Sequence, residues 1–306
     1  MNVPFAAVFP GQGSQIVGMG QALAAHPLTA PLFAEADEVL GYKLSQLMAE
    51  GPAEELTNTI NAQPALFTVG YAAYHYWLAQ GGEKPKAVAG HSLGEYTALA
   101  AAGVFTFAEG VKLVRARGIA MSKAYPVGGA MAAVLALNAD VLEEITANAG
   151  CVVANDNCPG QVVISGTVAA VENAAEAAKA AGAKRVVMLP VSGPFHSPLM
   201  GVAVPELVEA MNAVVFKNAK MPVVMNVTAQ LEQEAFAIKQ YLIDQLTGRV
   251  RWRESVHTLE GMGLTQAYEF GVGKVLSGLI AKSSEKITTH SLTTPDEMDS
   301  LLSLQK

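Results

Sequence analysis

The sequence predicts an α/β protein with a large parallel-sheet domain into which a second, smaller domain is inserted. Two patterns in the chain lead to this prediction. Short apolar runs that end in glycine-rich turns alternate with helical segments, which is typical of strands buried in a parallel sheet. Near the middle of the chain the predicted order changes to β-α-β-β-α-β, which is the pattern of a compact split-βαβ domain.

The first part of the large domain contains two predicted strands that each lead into a glycine-containing loop. Residues 3–9 form an apolar run closed by the sequence PGQG, and residues 87–89 precede the pentapeptide GHSLG at 90–94. Apolar residues then recur at helical spacing, which predicts helices at 65–80, 95–102 and 108–123.

The middle of the chain is predicted to form a ferredoxin-like domain at residues 128–192. Strands are expected at 131–137, 152–154, 161–165 and 184–189, and helices at 140–149 and 168–181. The segment Ser192-Gly193-Pro194 would mark the return of the chain. The large domain therefore comprises residues 1–127 and 193–306.

The last part of the chain returns to strand and helix alternation. Helices are predicted at 200–211, 234–246, 252–262 and 274–281, and strands at 221–226 and 266–270. Residues 283–306 are polar and weakly patterned, so no element is predicted there.

Composition excludes several classes of function. The chain has 306 residues, of which 51% are hydrophobic, and a formal net charge of -7 without a dense run of basic residues. This charge argues against nucleic acid as the main partner.

The sequence contains no apolar run of about 18 residues, so no membrane span is predicted. The first residues lack a leader pattern. Two cysteines cannot form a disulfide framework. We expect a cytoplasmic protein that does not associate with membranes.

The pentapeptide at residues 90–94 fits the pattern G-x-S-x-G between a predicted strand and a predicted helix. This context is the one that a nucleophile elbow requires, because the sharp turn exposes the hydroxyl of Ser92 and leaves no room for side chains beside it. The Leu93 N–H, at the start of the helix, would favour developing negative charge. The alternative is a glycine-rich turn with an incidental serine.

A serine nucleophile needs a base, and His196 is the candidate among six histidines. It lies in the sequence PFHSP, where the chain returns from the inserted domain, and pockets form at such junctions. The alternative is a structural histidine. No acidic partner is obvious, so a backbone carbonyl is expected to orient the imidazole. The histidines show no metal-ligand spacing, and no metal is predicted.

Two further segments offer groups that could bind a substrate. The loop after the first strand, around Gln12, could aim an N–H at an oxyanion, or it could be an ordinary β–α turn. Arg115 and Arg117 point to different sides of one helix, so at most one should face inward. A guanidinium in a pocket would bind a carboxylate through two hydrogen bonds. The alternative is a solvated basic helix face with Lys112 and Lys123.

Several segments occur in a characteristic order along nearly the whole chain. They are FPGQGSQ (9–15), NTINAQPALF (58–67), GHSLGEY (90–96), RARG (115–118), NDNCPGQVVISG (155–166), VSGPFHSPLM (191–200), NVTA (226–229), VRW (250–252) and EFGVGKVLSGL (269–279). Together they resemble the malonyl-CoA:acyl carrier protein transacylase family, which includes the acyltransferase domains of polyketide synthases. The resemblance implies a hydrolase-like α/β domain with an inserted ferredoxin-like domain.

The resemblance also implies roles for individual residues. Ser92 would be the nucleophile and His196 the base, with the N–H groups of Gln12 and Leu93 forming the oxyanion hole. Arg117 would pair with the free carboxylate of a malonyl group.

The remaining implied roles concern the substrate site around these groups. Gln63 and Asn157 would support the pocket, and Phe195 would leave little room for an α-methyl branch. A carbonyl at Val250 or Arg251 would hold the histidine, which places Arg251 among the substrate-site residues.

The implied function is transfer of a malonyl group from coenzyme A to the phosphopantetheine thiol of an acyl carrier protein, through a malonyl-serine intermediate. The partners would be malonyl-CoA and the carrier protein, with no cofactor. Related alternatives are a trans-acting polyketide-synthase acyltransferase and the transfer subunit of a malonate decarboxylase. An acyl hydrolase is disfavoured by Arg117, because release of neutral chains needs no carboxylate clamp. A carrier-binding module without activity is disfavoured by Ser92 and His196.

An acidic carrier protein would need a basic surface on this chain. Two groups of residues are dense enough to consider, although solvated surface is the favoured interpretation of both. They are Arg249, Arg251 and Arg253, and Lys184 with Arg185.

Overall fold

The structure is a computed structural model that describes residues 3–125, 127–191 and 193–304. Its strands are β1 (Phe5–Phe9), β2 (Ala87–Gly90), β3 (Gly129–Leu135), β4 (Val152–Cys158), β5 (Gln161–Thr167), β6 (Arg185–Met188), β7 (Val223–Val224), β8 (Leu231–Glu232), β9 (Gln266–Phe270) and β10 (Thr288–Leu292).

Helices lie between and around these strands. They are α1 (Gln21–Ala25), α2 (Ala30–Leu40), α3 (Leu44–Glu50), α4 (Ala53–Thr57), α5 (Thr59–Ala79), α6 (Leu93–Ala101), α7 (Phe107–Ala124), α8 (Ala139–Ala149), α9 (Val168–Ala180), α10 (Val204–Asn212), α11 (Ala235–Gln245), α12 (Trp252–Gly261), α13 (Val275–Ser283) and α14 (Pro295–Leu304), with a 3₁₀ helix at Pro198–Ala203.

A six-stranded sheet forms the larger part of the structure, in the order β10-β9-β1-β2-β7-β8. All neighbouring strands pair in parallel except β7 and β8. Strand β1 is buried on both faces: Ala6 and Val8 pack on the side of α12 and α13, whereas Phe5, Ala7 and Phe9 face the core around α5. Since β1 and β2 are parallel neighbours, the loops that follow them lie side by side at one edge of the sheet.

A second, antiparallel sheet has the order β4-β5-β3-β6. Numbered by their order along this segment, its strands run 2-3-1-4, which is the ferredoxin-like arrangement that the β-α-β-β-α-β pattern predicts. Helices α8 and α9 cover one face of this sheet and share an apolar core with it. Backbone hydrogen bonds from Asp156 N to Val250 O and from Val250 N to Ala154 O join β4 to the rest of the chain.

The fold class predicted from sequence is confirmed: a parallel sheet and a separate antiparallel sheet are both present. The division at residues 128 and 192 stays a prediction. The second sheet runs from Gly129 to Met188, and Ser192, at the expected return, lies outside the described residues.

The polar tail is the main error of the sequence-based prediction. Residues 283–306 contain the end of α13, the edge strand β10 and helix α14. Strand β10 has the sequence TTHSL, without apolar alternation, and its pairing with β9 through backbone hydrogen bonds keeps it in the sheet. Helix α14 is tied to α5 by Tyr76, whose hydroxyl donates to Asp299 at 3.0 Å. The strand predicted at 221–226 is shorter than expected and forms only β7.

Among the helices that the structure describes, none combines the length and the apolar character needed to cross a membrane.

Candidate active site

Ser92 occupies a strained turn between β2 and α6. Its φ of 51° lies in the left-handed region, which costs energy for any residue other than glycine. A Cβ on Gly90 would come within 1.9 Å of Gly94 C, and a Cβ on Gly94 would come within 2.0 Å of Phe9 O. Both glycines are therefore required, because strand, turn and helix approach one another too closely for a side chain. This turn has the geometry of the predicted nucleophile elbow.

The Ser92 hydroxyl contacts the imidazole of His196, and a backbone carbonyl orients the opposite side of that ring. Ser92 Oγ lies 2.8 Å from His196 Nε2, and His196 Nδ1 lies 2.8 Å from the backbone oxygen of Gln245. Because a carbonyl can only accept, Nδ1 carries the proton and donates to it, which leaves Nε2 of the neutral ring as the acceptor for the serine proton. His196, like Ser92, has a positive φ, of 56°.

The carbonyl that orients His196 was assigned to the wrong residue from the sequence. The prediction named Val250 or Arg251, and the structure places Gln245, at the end of α11, in that position. The Val250 carbonyl instead accepts from Asp156 N in the bridge to β4. An acceptor of the expected chemistry is therefore present, but five or six residues earlier in the chain than the sequence motif suggested.

Arg117 is the inward-facing arginine of α7 and is 1% exposed. Its Nη2 donates to Ser92 Oγ at 3.1 Å and to Gln245 Oε1 at 2.9 Å, and its Nη1 donates to Gln63 Oε1 at 2.9 Å. Arg115, two residues earlier, points elsewhere and donates to Ile60 O at 2.7 Å. The solvated basic face is therefore excluded for Arg117, whose cation lies beside the candidate nucleophile.

Arg117 is fixed by neutral partners rather than by an acid. Among the residues that the structure describes, no carboxylate oxygen lies within ion-pair distance of its guanidinium. Gln63, fully buried on α5, donates to Met121 Sδ at 3.4 Å and so keeps its oxygen turned toward Arg117. A buried cation without an anionic partner favours binding of a carboxylate ligand.

A cleft of about 360 Å³ opens onto these groups. Ser92, His196 and Arg117 line this cleft together with residues of the second sheet, among them Met131 and Val163. Phe195 lines the cleft and is 6% exposed. Asn157, which also lines the cleft, accepts through Oδ1 from His91 Nε2 at 2.8 Å and thereby links β4 to the elbow. This size suits a small acyl group and its linker.

Of the two predicted oxyanion donors, Gln12 lies on the loop after β1 and Leu93 begins α6 after the elbow. Gln12 lines the cleft, and its side chain donates to Thr59 Oγ1 at 3.1 Å, which turns the side chain away and leaves the backbone N–H as the group that could serve. Leu93 is the first residue of α6, where backbone N–H groups have no partner within the helix. The neighbouring Ser92 N–H is already engaged by Asn226 Oδ1 at 2.7 Å.

Burial controls the ionisation of the site. Burial, followed by the nearby Arg117 cation, lowers the pKa of His196 to about 3, so the imidazole is neutral at physiological pH. Burial also raises the pKa of Glu95, a carboxyl on α6, to about 8, against the opposing effects of its hydrogen bonds to Asn226 and Gln245. Burial lowers the pKa of Arg117, while Tyr96 and Glu95 act in the opposite direction.

The assignment of Arg251 to the substrate site is wrong. Arg251 precedes α12 and is not among the described residues that line the cleft. Its Nε donates to Glu254 at 2.8 Å, and the two side chains form an ion pair one helical turn apart. The side chain is half-exposed and held by this local acid, away from the residues that line the cleft.

The arginine cluster near Arg251 is not a free basic surface either. Arg253 pairs with Asp156 at 2.6 Å, and Arg249 pairs with Glu143. Both acids belong to the segment that forms the second sheet and its helices, so these arginines bind one part of the chain to the other. The interpretation as solvated surface therefore fits Arg251 best. Arg249 and Arg253 instead form ion pairs with acids of the second sheet and its helices.

Three site residues were not singled out from the sequence. Gln245 and Glu95 carry no role in the sequence-based account, and Asn226 appeared only as part of the NVTA segment. All three are buried and meet behind Ser92: Asn226 N donates to Glu95 at 2.6 Å, and Gln245 Nε2 donates to Glu95 at 2.5 Å. The sequence signal that could have found Glu95 is a charged residue in an otherwise apolar helix, three residues after the nucleophile.

Within the described ranges, no group of three or more His, Cys, Asp or Glu side chains is arranged to hold a metal ion.

Comparison with known proteins gives consistent matches over nearly the whole chain. The acyl transferase domain family matches residues 7–270. A malonyl CoA-acyl carrier protein transacylase of Bacillus subtilis is 48% identical over 301 residues, which cover 96% of this chain and 95% of the relative. An acyl carrier protein S-malonyltransferase structure from Vibrio cholerae has a TM-score of 0.94 at 42% identity, covering 97% of this chain and 99% of that one.

A further similar structure was solved as a complex. It contains a type II PKS acyl-carrier protein with its malonyl-transacylase, and its matching chain has a TM-score of 0.96 at 41% identity. The match covers 98% of this chain and 99% of that one.

Proposed function

Because the chain belongs to the malonyl-CoA:acyl carrier protein transacylase family, we propose that Ser92, His196 and Arg117 carry out its reaction. The protein is an acyltransferase that moves a malonyl group from malonyl-CoA to an acyl carrier protein. The observation that supports the residue roles best is the joint contact on Ser92 Oγ, which lies 2.8 Å from the His196 base and 3.1 Å from the Arg117 cation.

Acylation begins when Ser92 Oγ attacks the thioester carbonyl of malonyl-CoA. His196 Nε2 takes the hydroxyl proton, while its Nδ1–H stays hydrogen-bonded to the Gln245 carbonyl, which holds the ring in the required orientation. The thioester oxygen becomes negatively charged and accepts from the N–H groups of Gln12 and Leu93. The carbon–sulfur bond then breaks, and the CoA sulfur receives the proton from His196, which leaves a malonyl ester on Ser92.

Transfer to the carrier protein follows the same path in reverse. The phosphopantetheine thiol gives its proton to His196 Nε2 and attacks the ester carbonyl. The ester bond to Ser92 breaks, and the serine oxygen takes the proton back from His196. The carrier leaves with the malonyl thioester, and the enzyme returns to its starting state.

Arg117 selects the malonyl group through its free carboxylate. A buried guanidinium that is held by neutral amides from Gln63 and Gln245 has its positive charge available for a ligand. The malonyl carboxylate would supply the missing anion, so binding is strengthened by a desolvated charge pair. An acetyl group offers no such partner. Phe195 at the cleft wall would limit branching next to that carboxylate.

The carrier protein in this reaction could serve fatty-acid or polyketide synthesis. The likeness to a transacylase solved with a type II PKS acyl-carrier protein favours testing a polyketide carrier beside a fatty-acid carrier. We further propose that no cofactor takes part, since Ser92 and His196 supply both nucleophile and base, and that the enzyme works in the cytoplasm. Undiminished transfer after dialysis against a chelator supports the first of these proposals.

Intact-protein mass spectrometry after brief incubation with malonyl-CoA tests the proposed function. We expect a malonyl adduct on the wild-type protein that disappears when either carrier protein is added and reappears on the carrier. The Ser92→Ala variant should form no adduct, with a rate loss of about 10⁶-fold. Release of free malonate without transfer would instead identify a hydrolase. Absence of any adduct or turnover on the wild-type protein would refute the proposal.

A further inference from the structure

Glu95 is a fully buried carboxyl group that the transfer reaction does not use directly. It lies on α6, three residues after Ser92, and is 0% exposed. Both of its oxygens accept hydrogen bonds: Oε1 from Asn226 N at 2.6 Å and Oε2 from Gln245 Nε2 at 2.5 Å. Burying a carboxyl group costs free energy unless it is hydrogen-bonded, so the hydrogen-bond partners of Glu95 indicate its role.

The partner that links Glu95 to the active site is the side-chain amide of Gln245. Its Nε2 donates to Glu95 and also to Ser92 O at 2.9 Å, whereas its Oε1 accepts from Arg117 Nη2 at 2.9 Å. The backbone oxygen of the same residue orients His196. One glutamine therefore contacts the nucleophile residue, the base and the carboxylate clamp.

An amide side chain has two ends of nearly equal size and opposite polarity, so its orientation must be imposed by its neighbours. If the Gln245 amide were reversed, its NH₂ group would face the Arg117 cation and its oxygen would face both Ser92 O and the acid. Glu95 Oε2 and Ser92 O are the two acceptors on the Nε2 side, and together they disfavour the reversed arrangement. In the observed arrangement the amide oxygen is left for Arg117.

The separation of Glu95 from Arg117 also has an electrostatic consequence. Burial raises the pKa of Glu95 to about 8, so the ionised carboxylate compensates the buried cation above that pH, from the far side of one amide and without an ion pair. Below that pH, Glu95 acts through its hydrogen bonds. A direct pair would occupy the guanidinium that a malonyl carboxylate needs. Because the acid contacts Gln245 rather than Arg117, no carboxylate of the described residues pairs with the guanidinium.

We propose that Glu95 is a positioning residue for malonyl recognition, which acts by fixing the Gln245 amide and, through it, the Arg117 guanidinium. This inference rests on the proposed function, because it assigns Glu95 a part in the selection of the malonyl group. It predicts that loss of the carboxyl group weakens discrimination between malonyl and acetyl donors more than it weakens the shared chemistry at Ser92.

The variant Glu95→Gln tests the inference with almost no change in shape. A glutamine at this position has a single acceptor oxygen and cannot accept from both Asn226 N and Gln245 Nε2. We expect the ratio of malonyl-CoA to acetyl-CoA acylation efficiency (kcat/KM) to fall by about 10- to 100-fold, the range for one unsatisfied buried hydrogen-bonding group. The matched control is Glu269→Gln, another 0% exposed carboxyl, which accepts from Leu276 N and Ser277 N at the start of α13. It should lower thermal stability and leave the ratio unchanged.

A double-mutant cycle separates positioning from general damage to the fold. In an Arg117→Ala background, Glu95→Gln should change the malonyl to acetyl ratio no further, because the residue through which it acts is gone. An equal effect of Glu95→Gln with and without Arg117 would overturn the inference. So would an unchanged ratio in the single variant.

Separate experiments test the positioning role of Glu95 and the proposed transferase reaction. A wild-type protein that forms no malonyl adduct would refute the proposed transferase reaction. A crystal structure of Glu95→Gln then still decides the positioning role: displacement of the Arg117 guanidinium from Gln245 supports it, and an unmoved guanidinium and amide overturn it.

Discussion

The guanidinium of Arg117 lies 3.1 Å from the hydroxyl oxygen of Ser92, so the candidate carboxylate clamp and the candidate nucleophile are in direct contact. A malonyl group places its carboxylate and its thioester carbonyl only one carbon apart. A clamp that touches the nucleophile therefore fits this short acyl group, because both ends must be reached at once. The contact also puts a fixed positive charge next to His196, which affects the base as well as the substrate.

Removal of the Arg117 charge should impair malonyl transfer selectively. For Arg117→Ala we expect malonyl acylation to lose about 2–4 kcal/mol of transition-state stabilisation, because a desolvated charge pair is lost. Acetyl acylation should fall much less. The measurement is kcat/KM for both donors. Arg115→Ala is the matched control, since this arginine lies on the same helix but contacts Ile60 O outside the cleft. Equal losses for the two donors would contradict the clamp role.

The pH profile of the acylation rate should lack the inflection that titration of an ordinary histidine gives. The pKa of His196 is lowered to about 3, first by burial and then by Arg117. The base must be unprotonated to accept the serine proton, so activity is present above this pKa and is lost as the pH falls toward it. We expect the single-turnover acylation rate to show no inflection near the ordinary histidine value of about 6.5. An inflection there would refute a depressed pKa.

The same pH experiment has a second arm. Arg117→Ala removes the cation that contributes to the low pKa of His196. In that variant, the inflection for acetyl acylation should move upward in pH, because a protonated imidazole is no longer repelled by the guanidinium. An unmoved inflection would contradict the contribution of Arg117 to the low pKa of His196.

A carboxylate at position 245 should compete with the substrate. In Gln245→Glu, the new oxygen would stand where Oε1 accepts from Arg117 at 2.9 Å, and it would form the ion pair that the wild-type site leaves to the ligand. We expect malonyl acylation to fall more than acetyl acylation, as measured by competition between the two donors. Gln240→Glu adds the same charge on an exposed part of α11 and should have no such effect. Retention of the wild-type donor preference in Gln245→Glu would contradict this prediction.

Phe195 should set the tolerance for branched malonyl groups. The ring lines the cleft and is nearly buried, so Phe195→Ala makes room beside the acyl group. We expect the preference for malonyl-CoA over methylmalonyl-CoA to narrow by about tenfold, which is the scale of one methyl group in an apolar pocket. The control is Phe105→Ala, a buried ring that packs on Phe216 and is absent from the described cleft lining. If both variants narrow the preference equally, loosening of the core rather than cleft width is responsible.

The elbow glycine Gly94 should not tolerate a methyl group. A Cβ at this position would lie 2.0 Å from Phe9 O, so Gly94→Ala must push β1 and α6 apart. We expect a loss of at least about 3 kcal/mol in unfolding free energy, or failure to fold. Gly278→Ala, on α13 with no atom within 4 Å of the added Cβ, should be neutral or stabilising by up to about 1 kcal/mol. Urea unfolding measures both. A stable, active Gly94→Ala variant would contradict the geometry of the turn.

Local features of the sequence were sufficient for much of the fold. The strand, the GHSLG turn and the helix that follow one another at residues 87–101 are specified by burial pattern and by glycines with steric reasons to be there. The β-α-β-β-α-β order likewise follows from periodicity within one segment. The tail at 283–306 was misjudged because β10 is an edge strand whose place depends on pairing with β9 rather than on apolar residues of its own.

The active site was only partly accessible to sequence reasoning. Ser92 has a local signal, its turn motif. The helix pattern alone did not distinguish Arg117 from Arg115, and the family resemblance singled out Arg117. His196 has a weaker local signal, its position at a predicted junction. The acceptor for His196 was placed at Val250 or Arg251 by motif resemblance. The structure assigns it to Gln245, because helix α11, rather than the VRW segment, ends behind the imidazole.

Neighbouring residues in the chain determined the elements of this protein, since hydrophobic periodicity and turn chemistry act over a few residues. Tertiary structure alone decided which polar groups meet. His196 is 104 residues from Ser92, and Gln245 is 153 residues from it, yet both contact it. Hydrogen bonds between residues so far apart in the chain produce no hydrophobic periodicity in either segment, so the sequence does not reveal them. They form because the packed sheet and helices bring buried donors and acceptors together, and each buried polar group must then be satisfied.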